Sequence, residues 1–333
     1  MATIAELLAS SLNALKQVQR GEDFTIIKSS DLSRTHIKRL VDNHFLKPII
    51  KGWYVVTDPR ATPGDSTAWY ASFWSFITRY ANERYGNEWC LSAEQSLSIY
   101  TGATIIPNQV LIRAPKGNDY MVPLIPPTSV FNLGAELPSK IDTNNPYNLN
   151  LYTLAEAIIV ATPTMYRNDA LTMRTALAMV HDSSDILKIL VDTGQTVRAG
   201  RVIGAFRNIG RTDMADEIAG TMKRMGYIIY EEDPFERVME IHVSQSPYAV
   251  RLRLMWQNMR EDVIANFTRL KSNLSAKEFL ERMETRYKLD AYHSLSIEGY
   301  RVTDELINKV NAERKSKVDD NTAKMQSIKW LGV

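Results

Sequence analysis

Residues 24–56 read FTIIKSSDLSRTHIKRLVDNHFLKPIIKGWYVV, and this stretch decides the fold of the N-terminal part of the chain. After a short β-like run, the apolar spacing over residues 32–41 predicts a helix, and two short strands that bend near Lys51 follow it. An apolar stripe over residues 4–18 predicts an amphipathic helix ahead of them. Because helix, strand, helix and hairpin follow in this order, we predict a winged helix-turn-helix over residues 1–60.

The predicted second helix carries long or polar side chains on its N-terminal half and outer face, and the hairpin adds two lysines. A helix of this kind presents its first turns to base edges in the major groove, while lysines on a hairpin reach phosphates. The candidate DNA-contacting residues are Arg34, Thr35, Lys38, Arg39, Lys47 and Lys51. The alternative is a protein–protein module of the same fold, whose lysines are only solvated.

Composition bounds the class of protein. The 333 residues include 40 basic and 38 acidic side chains, which gives a formal net charge of +2. Any nucleic-acid surface must therefore be local. The single cysteine, Cys90, excludes a disulfide framework and a cysteine-based zinc site. Because the N-terminus lacks the pattern of a signal peptide and no apolar run could cross a bilayer, we expect a cytoplasmic protein without membrane contact.

The pattern along the rest of the chain predicts an α+β protein that is mainly helical. Aromatic residues recur at helical spacing from Trp69 to Tyr80, which is typical of a buried face. We predict a mixed α/β middle domain followed by C-terminal helices. The predicted domains after the winged helix-turn-helix are a mixed α/β domain at 61–145, a helical domain with short strands at 146–245, further helices at 246–312 and a flexible tail at 313–333.

Three segments resemble the N-terminal domain of abortive-infection antitoxins of bacteria. They are the hairpin KGWY at 51–54, the helix start LSAEQSL at 91–97 and the strand QVLIR at 109–113. In those antitoxins the winged helix is a DNA-binding autoregulator. The resemblance therefore implies that the partner is duplex DNA from the protein's own promoter.

A second resemblance, to the N-terminal region of long Fic-family proteins, spans most of residues 20–310. It rests on RAGR at 198–201, GAFRNIGR at 204–211, ADEI at 215–218, DPF at 233–235, SPY at 246–248, MWQNMRE at 255–261 and YHSLSIEGY at 292–300. The last of these falls where that family keeps its inhibitory helix, with the pattern Ser-x-x-x-Glu-Gly.

The Fic resemblance implies a specific role for three residues. Fic enzymes transfer AMP from ATP to a hydroxyl of a target protein, and an inhibitory glutamate pairs with the arginine that otherwise holds the ATP γ-phosphate. A carboxylate competes there because it occupies the donors meant for phosphate. The resemblance assigns the inhibitory role to Glu298, with Ser294 one helical turn earlier and Gly299 permitting close backbone approach.

The sequence departs from the Fic family at the catalytic signature His-Pro-Phe-x-Asp-Gly-Asn-Gly-Arg. None of the five histidines is followed by proline, and Asp-Gly-Asn does not occur. We therefore expect no catalytic residue, cofactor or metal in this chain, and predict a DNA-binding regulator that restrains a Fic core in cis or in trans. The alternatives are the N-terminal part of a full-length adenylyltransferase and an adaptor that does not bind DNA.

A locally basic stretch between residues 198 and 224 has two open interpretations. It is either a solvated face balanced by Asp213, Asp216 and Glu217 or a second contact for nucleic acid or a partner. Cys90 is expected to be a small buried apolar residue rather than a nucleophile.

Overall fold

The structure is a computed structural model with an α+β fold that is mainly helical, which confirms the predicted fold class. It describes residues 3–19, 25–62, 64–239, 241, 246–267, 275, 277–283 and 286. Backbone contacts divide the chain into two units, with the division after Val263. The elements named below belong to the first unit, apart from the last three residues of its final helix.

The N-terminal elements form a small module of helices and strands. They are helix α1 (Ile4–Val18), strand β1 (Ile26–Lys28), helix α2 (Arg34–Asp42) and strands β2 (Leu46–Ile50) and β3 (Trp53–Val56). The three strands are antiparallel in the order β1-β3-β2. This arrangement confirms the order helix, strand, helix and hairpin that the sequence predicted.

The three-stranded sheet is covered by helices on both faces. Because successive side chains of a strand point to opposite faces, Val55 packs with the aromatic residues of helix α3 (Thr67–Tyr85), while Tyr54 packs with α1 and α2. Pro48 is exposed on β2, an edge strand, where its missing N–H costs no ladder hydrogen bond. The sheet of the module therefore packs directly against helix α3.

Helix α2 begins two residues later than the sequence predicted, because its cap is Ser33. The Ser33 hydroxyl accepts a hydrogen bond from the backbone N–H of His36 at 3.3 Å. Residues 29–31, whose side chains suit both a turn and a helix cap, form a turn. There the carboxylate of Asp31 accepts from the backbone N–H of Lys28 at 2.9 Å.

A four-stranded sheet follows α3. Its elements are β4 (Cys90–Leu91), helix α4 (Ala93–Tyr100), β5 (Gln109–Ala114), β6 (Tyr120–Pro123) and β7 (Ser129–Gly134). The strand order is β4-β5-β7-β6, with β5 and β7 parallel. Trp69, Phe73 and Phe76 of α3 are buried in the core beside this sheet, as their helical spacing predicted.

Helices dominate the remaining part of the first unit. Strands β8 (Ile141–Asp142) and β9 (Leu151–Tyr152) precede helices α5 (Leu154–Val160), α6 (Pro163–Asn168), α7 (Ala170–Met179), α8 (Ser184–Thr193), α9 (Thr196–Asn208), α10 (Thr212–Arg224) and α11 (Pro247–Asn266). Helices α4 to α10 share one apolar core. The pairing of β8 with β9 spans the domain boundary predicted at 145/146, which stays a prediction. No helix within the described ranges is long and apolar enough to cross a membrane.

An extended segment, residues 229–239, lies along α9, and we call it the strap. The backbone N–H of Glu232 donates to the carbonyl of Gly200 at 3.3 Å, and that of Met239 donates to the carbonyl of Asn208 at 3.3 Å. Such close approach requires glycine, because a Cβ on Gly204 would overlap the backbone carbonyl of Glu232. The two glycines of α9, Gly200 and Gly204, therefore allow the backbone of the strap to lie directly against the helix.

We expect Gly204→Ala and Gly220→Ala to change stability in opposite directions. At Gly204 the new methyl group forces the strap off α9, and overpacking of this kind costs about 1–3 kcal/mol. Gly220 lies within α10 with its nearest neighbour, an Arg224 nitrogen, 3.5 Å from the new Cβ, so alanine stabilises the helix by about 1 kcal/mol. Urea unfolding followed by circular dichroism measures both, and an unchanged or raised midpoint for Gly204→Ala contradicts the role of the strap.

Candidate nucleic-acid interface

The outer face of α2 presents three of the predicted DNA-contacting residues. Arg34, Thr35 and Lys38 are exposed, whereas Ile37 and Leu40 are buried against the module core. This division follows the helical period, because residues three and four apart share a face. The outer side of the first turns of α2 is therefore exposed to solvent.

The hairpin places Lys51 at the same end of the module as the start of α2. Lys51 and Gly52 form the loop between β2 and β3, and Gly52 has a φ of +83° that favours glycine. The backbone N–H of Ser29 donates to the carbonyl of Gly52 at 2.8 Å. Since Ser29 begins the turn that leads into α2, the loop lies beside the approach to Arg34.

Lys47 lies on the face of the sheet that packs against α3, and not on the face that packs against α1 and α2. It is opposite Val55 in the β2–β3 register, and Val55 faces α3 rather than α2. Hydrogen bonds from Thr67 lower the pKa of the Asp65 carboxyl, and attraction to Lys47 makes a smaller contribution in the same direction. Lys47 is exposed near the segment that leads into α3, so the structure does not group it with the outer face of α2.

Arg39 points toward α1 and not toward the outer face. Its Nη1 donates to the carbonyl of Leu7 and to Oγ of Ser11, each at 3.4 Å. Ser11 Oγ also lies 2.9 Å from Nδ1 of His36. Arg39 therefore helps to join α1 to α2. The sequence contained a signal for this contact, because Ser11 is a polar residue within the apolar stripe of α1.

A cluster around Trp53 fastens the module to α3. The ring of Trp53 lies 5.3 Å from Lys28 Nζ and 5.8 Å from Arg79 Cζ, both measured to the ring centroid. Lys28 forms an ion pair with Glu83, and Arg79 forms one with Asp31 at 3.5 Å. Sequence reasoning missed this cluster because its members are up to 55 residues apart, from Lys28 to Glu83, and no local pattern connects them.

The basic stretch between residues 198 and 224 is largely used within the protein. Arg207 pairs with Glu231 at 2.6 Å and with Asp216 at 3.0 Å, and hydrogen bonds to these carboxylates raise its pKa. Arg201 donates to the carbonyl of Ala161 at 3.2 Å, and Arg211 donates to a carbonyl at the end of α7. These contacts favour the structural interpretation of the stretch over a second nucleic-acid contact.

The described residues give no support to a cysteine nucleophile or a metal site. Cys90 is buried, and burial raises the pKa of its thiol to about 12, so it is not poised as a nucleophile. The His, Cys, Asp and Glu side chains that the structure describes form no group of three that could hold a metal ion. The predicted inhibitory residues Ser294, Glu298 and Gly299 lie outside the described residues.

Comparison with known proteins does not assign a family. No model of a protein family matches the sequence, and no curated protein is significantly similar to it. The likenesses to abortive-infection antitoxins and to Fic proteins therefore rest on the sequence segments quoted for them.

Proposed function

We propose that the chain is a DNA-binding regulatory protein that acts in the bacterial cytoplasm on duplex DNA, including its own promoter. The observation that supports this proposal is the exposed outer face of α2, where Arg34, Thr35 and Lys38 lie at the end of the module that also presents Lys51. The only acidic residue between positions 33 and 51 is Asp42, so this surface is locally basic although the whole chain is nearly neutral.

In this proposal, helix α2 and the hairpin make different kinds of contact with DNA. The first turn of α2 enters the major groove, where Arg34 can donate two hydrogen bonds to a guanine and Thr35 can contact a thymine methyl group. The loop between β2 and β3 has two residues, so Lys51 reaches the phosphate backbone and not the floor of a groove. In this arrangement α2 supplies specificity and the hairpin supplies affinity.

The test is a fluorescence-anisotropy titration of the full chain with fragments of its own promoter at several salt concentrations. We expect binding that weakens steeply with salt. Lys51→Ala should weaken binding about equally on all sequences and reduce the salt slope by about 1, whereas Lys47→Ala, on the face of the sheet that packs against α3, should reduce affinity and slope by less. Arg34→Ala should cost about 1–3 kcal/mol on the preferred sequence and relax specificity.

The matched control is Lys116→Ala, which removes an exposed lysine outside the module, where it pairs with Glu88 at 3.1 Å. This variant should bind DNA as the wild type does. Absence of salt-sensitive binding to every promoter fragment would favour the alternative, an adaptor of the same fold that contacts protein only.

A second candidate function is restraint of a Fic-type adenylyltransferase core, in cis in a longer protein or in trans. It is supported by the sequence match at Ser294, Glu298 and Gly299. The ionised carboxylate of Glu298 would form an ion pair with the arginine that otherwise binds the ATP γ-phosphate. The test is whether AMP transfer by a Fic core increases when Glu298 is replaced. The related alternative, in which this chain is the N-terminal part of the adenylyltransferase itself, is distinguished by the reading frame downstream.

A further inference from the structure

Helix α11 is attached to the body of the first unit through its first two turns. Val250 and Leu254 are each 1% exposed and pack in a cluster with Ala178 of α7. Nη1 of Arg251 donates to the hydroxyl of Thr172, which also lies on α7, at 3.2 Å. These contacts define the inner face of α11.

The inner face becomes polar immediately after Leu254. Gln257, Asn258 and Glu261 follow Leu254 at helical spacing, and all three are exposed. A helix that continued along the body would keep apolar residues at these positions. The sequence of α11 therefore matches its geometry, in which contact with the body ends after the second turn.

The opposite face of α11 stays apolar over its whole length in the first unit. Leu252, Trp256, Met259 and Val263 are 66%, 56%, 50% and 48% exposed, and we call them the outer stripe. On a helix of 3.6 residues per turn they fall within about 60° of arc. Isolated exposed apolar residues are common, but a continuous stripe of large ones is typical of a surface that binds a partner.

The charges beside the outer stripe indicate what kind of partner fits it. Arg253 and Arg260 are exposed, lie one heptad apart and flank the stripe on the same side. In an antiparallel pair of two copies, this flank would face itself and bring arginines together, which is unfavourable. In a parallel pair of two copies it would meet the other flank, where Asp262 is a single acidic residue against two arginines. A helix with acidic residues along the facing flank would instead pair with both arginines.

We propose that the outer stripe binds an amphipathic helix of another protein, whose apolar face is bordered by acidic residues that meet Arg253 and Arg260. Leu252, Trp256, Met259 and Val263 supply the anchors of a helix-to-helix contact. The large aromatic Trp256, near the centre of the stripe, supplies the largest contact area. This proposal is independent of DNA binding, because α11 contributes nothing to the surface formed by α2 and the hairpin.

The test uses the full chain and two labelled synthetic peptides of 18 residues. Both carry leucines at helical spacing, and the positions that flank this apolar face are glutamates in one peptide and lysines in the other. We expect the glutamate peptide to bind at least tenfold more tightly than the lysine peptide at low salt, with a ratio that falls as salt screens the charges. Trp256→Glu should weaken its binding at least tenfold. The double variant Arg253→Glu/Arg260→Glu should reverse the preference.

The matched control is Ile105→Glu, which changes an apolar residue that is 82% exposed outside α11 and should leave peptide binding unchanged. Circular dichroism confirms that each variant is folded. Three results would overturn the proposal. The first is equal binding of the two peptides, and the second is binding that Trp256→Glu does not weaken. The third is a dimer in analytical ultracentrifugation that Trp256→Glu abolishes, because a second copy would then occupy the stripe.

Discussion

Arg174→Ala is expected to lower the free energy of unfolding of the first unit by about 3–5 kcal/mol. Arg174 is only 5% exposed, on α7 between α9 and the strap. Its Nη2 donates to Oδ1 of Asn208 at 3.3 Å and to the backbone carbonyl of Arg237, and its guanidinium lies 4.3 Å from the ring centroid of Phe235. Alanine leaves Oδ1 of Asn208 without this donor, leaves the Arg237 carbonyl with only the hydrogen bond from Nδ2 of Asn208, removes the cation–π contact and opens a cavity.

The Arg174 side chain is buried at an energetic cost that its surroundings offset in part, since its Nε is buried without a hydrogen-bond partner among the described residues. Burial lowers the pKa of Arg174, and attraction to Asp233 opposes that shift. Asn208 connects the two groups, since its Nδ2 donates to Oδ2 of Asp233 at 2.8 Å. The buried side chains of Arg174 and Asn208 and the polar groups of the strap therefore form one network, and removing Arg174 affects all of its members.

Chemical unfolding monitored by circular dichroism measures the loss, and Arg174→Met separates its causes. Methionine keeps an apolar stem against Phe235 but removes the charge and the donors, so we expect it to recover part of the stability lost in alanine. If Arg174→Ala unfolds within about 0.5 kcal/mol of the wild type, the strap is not held by this network.

Glu298→Gly is expected to release AMP transfer by a Fic core that is joined to or mixed with this chain. The prediction rests on the proposed inhibitory role. An ion pair that is desolvated at such a contact loses several kcal/mol when one partner is removed. Glu298→Gln should release much of the activity despite its similar size, because only a charged acceptor competes with phosphate. Ser294→Ala should have a smaller effect, since a neutral hydrogen bond contributes about 1 kcal/mol.

The measurement is transfer of labelled AMP to a target protein, with association of the two pieces verified separately. The matched control is Glu281→Gln, a change of the same kind at an exposed glutamate outside the Ser-x-x-x-Glu-Gly match, which should leave the rate unchanged. Equal rates for wild type and Glu298→Gly, with the pieces associated, mean that the motif has no inhibitory role here.

Local patterns predicted the elements whose stability depends on nearby residues. The sequence predicted a helix start at 91–97 and a strand at 109–113, and the structure has helix α4 (Ala93–Tyr100) and strand β5 (Gln109–Ala114) there, because apolar spacing and capping act over a few residues. The start of α2 was misplaced by two residues. Serine and aspartate both occur before this helix and both can cap, and the final choice depends on the turn that Asp31 makes with Lys28.

The candidate interface shows which side chains such patterns can assign to a face and which they cannot. Helical spacing alone placed Arg34, Thr35 and Lys38 on one outer face, and the structure agrees. The same spacing could not separate Arg39, whose direction depends on where α1 packs. The sequence also grouped Lys47 with Lys51, although strand register puts Lys47 on the face of the sheet that packs against α3.

By itself, the sequence determined the class of fold, the order of elements in the N-terminal module and the aromatic face of α3, because each follows from the period of its apolar residues. Tertiary structure alone decided the attachment of that module to α3 through Trp53, the burial of Arg174 under the strap, and the exposure of the outer stripe of α11. These features join residues far apart in the chain. Their energies come from packing and desolvation between elements, which no local pattern of residues encodes.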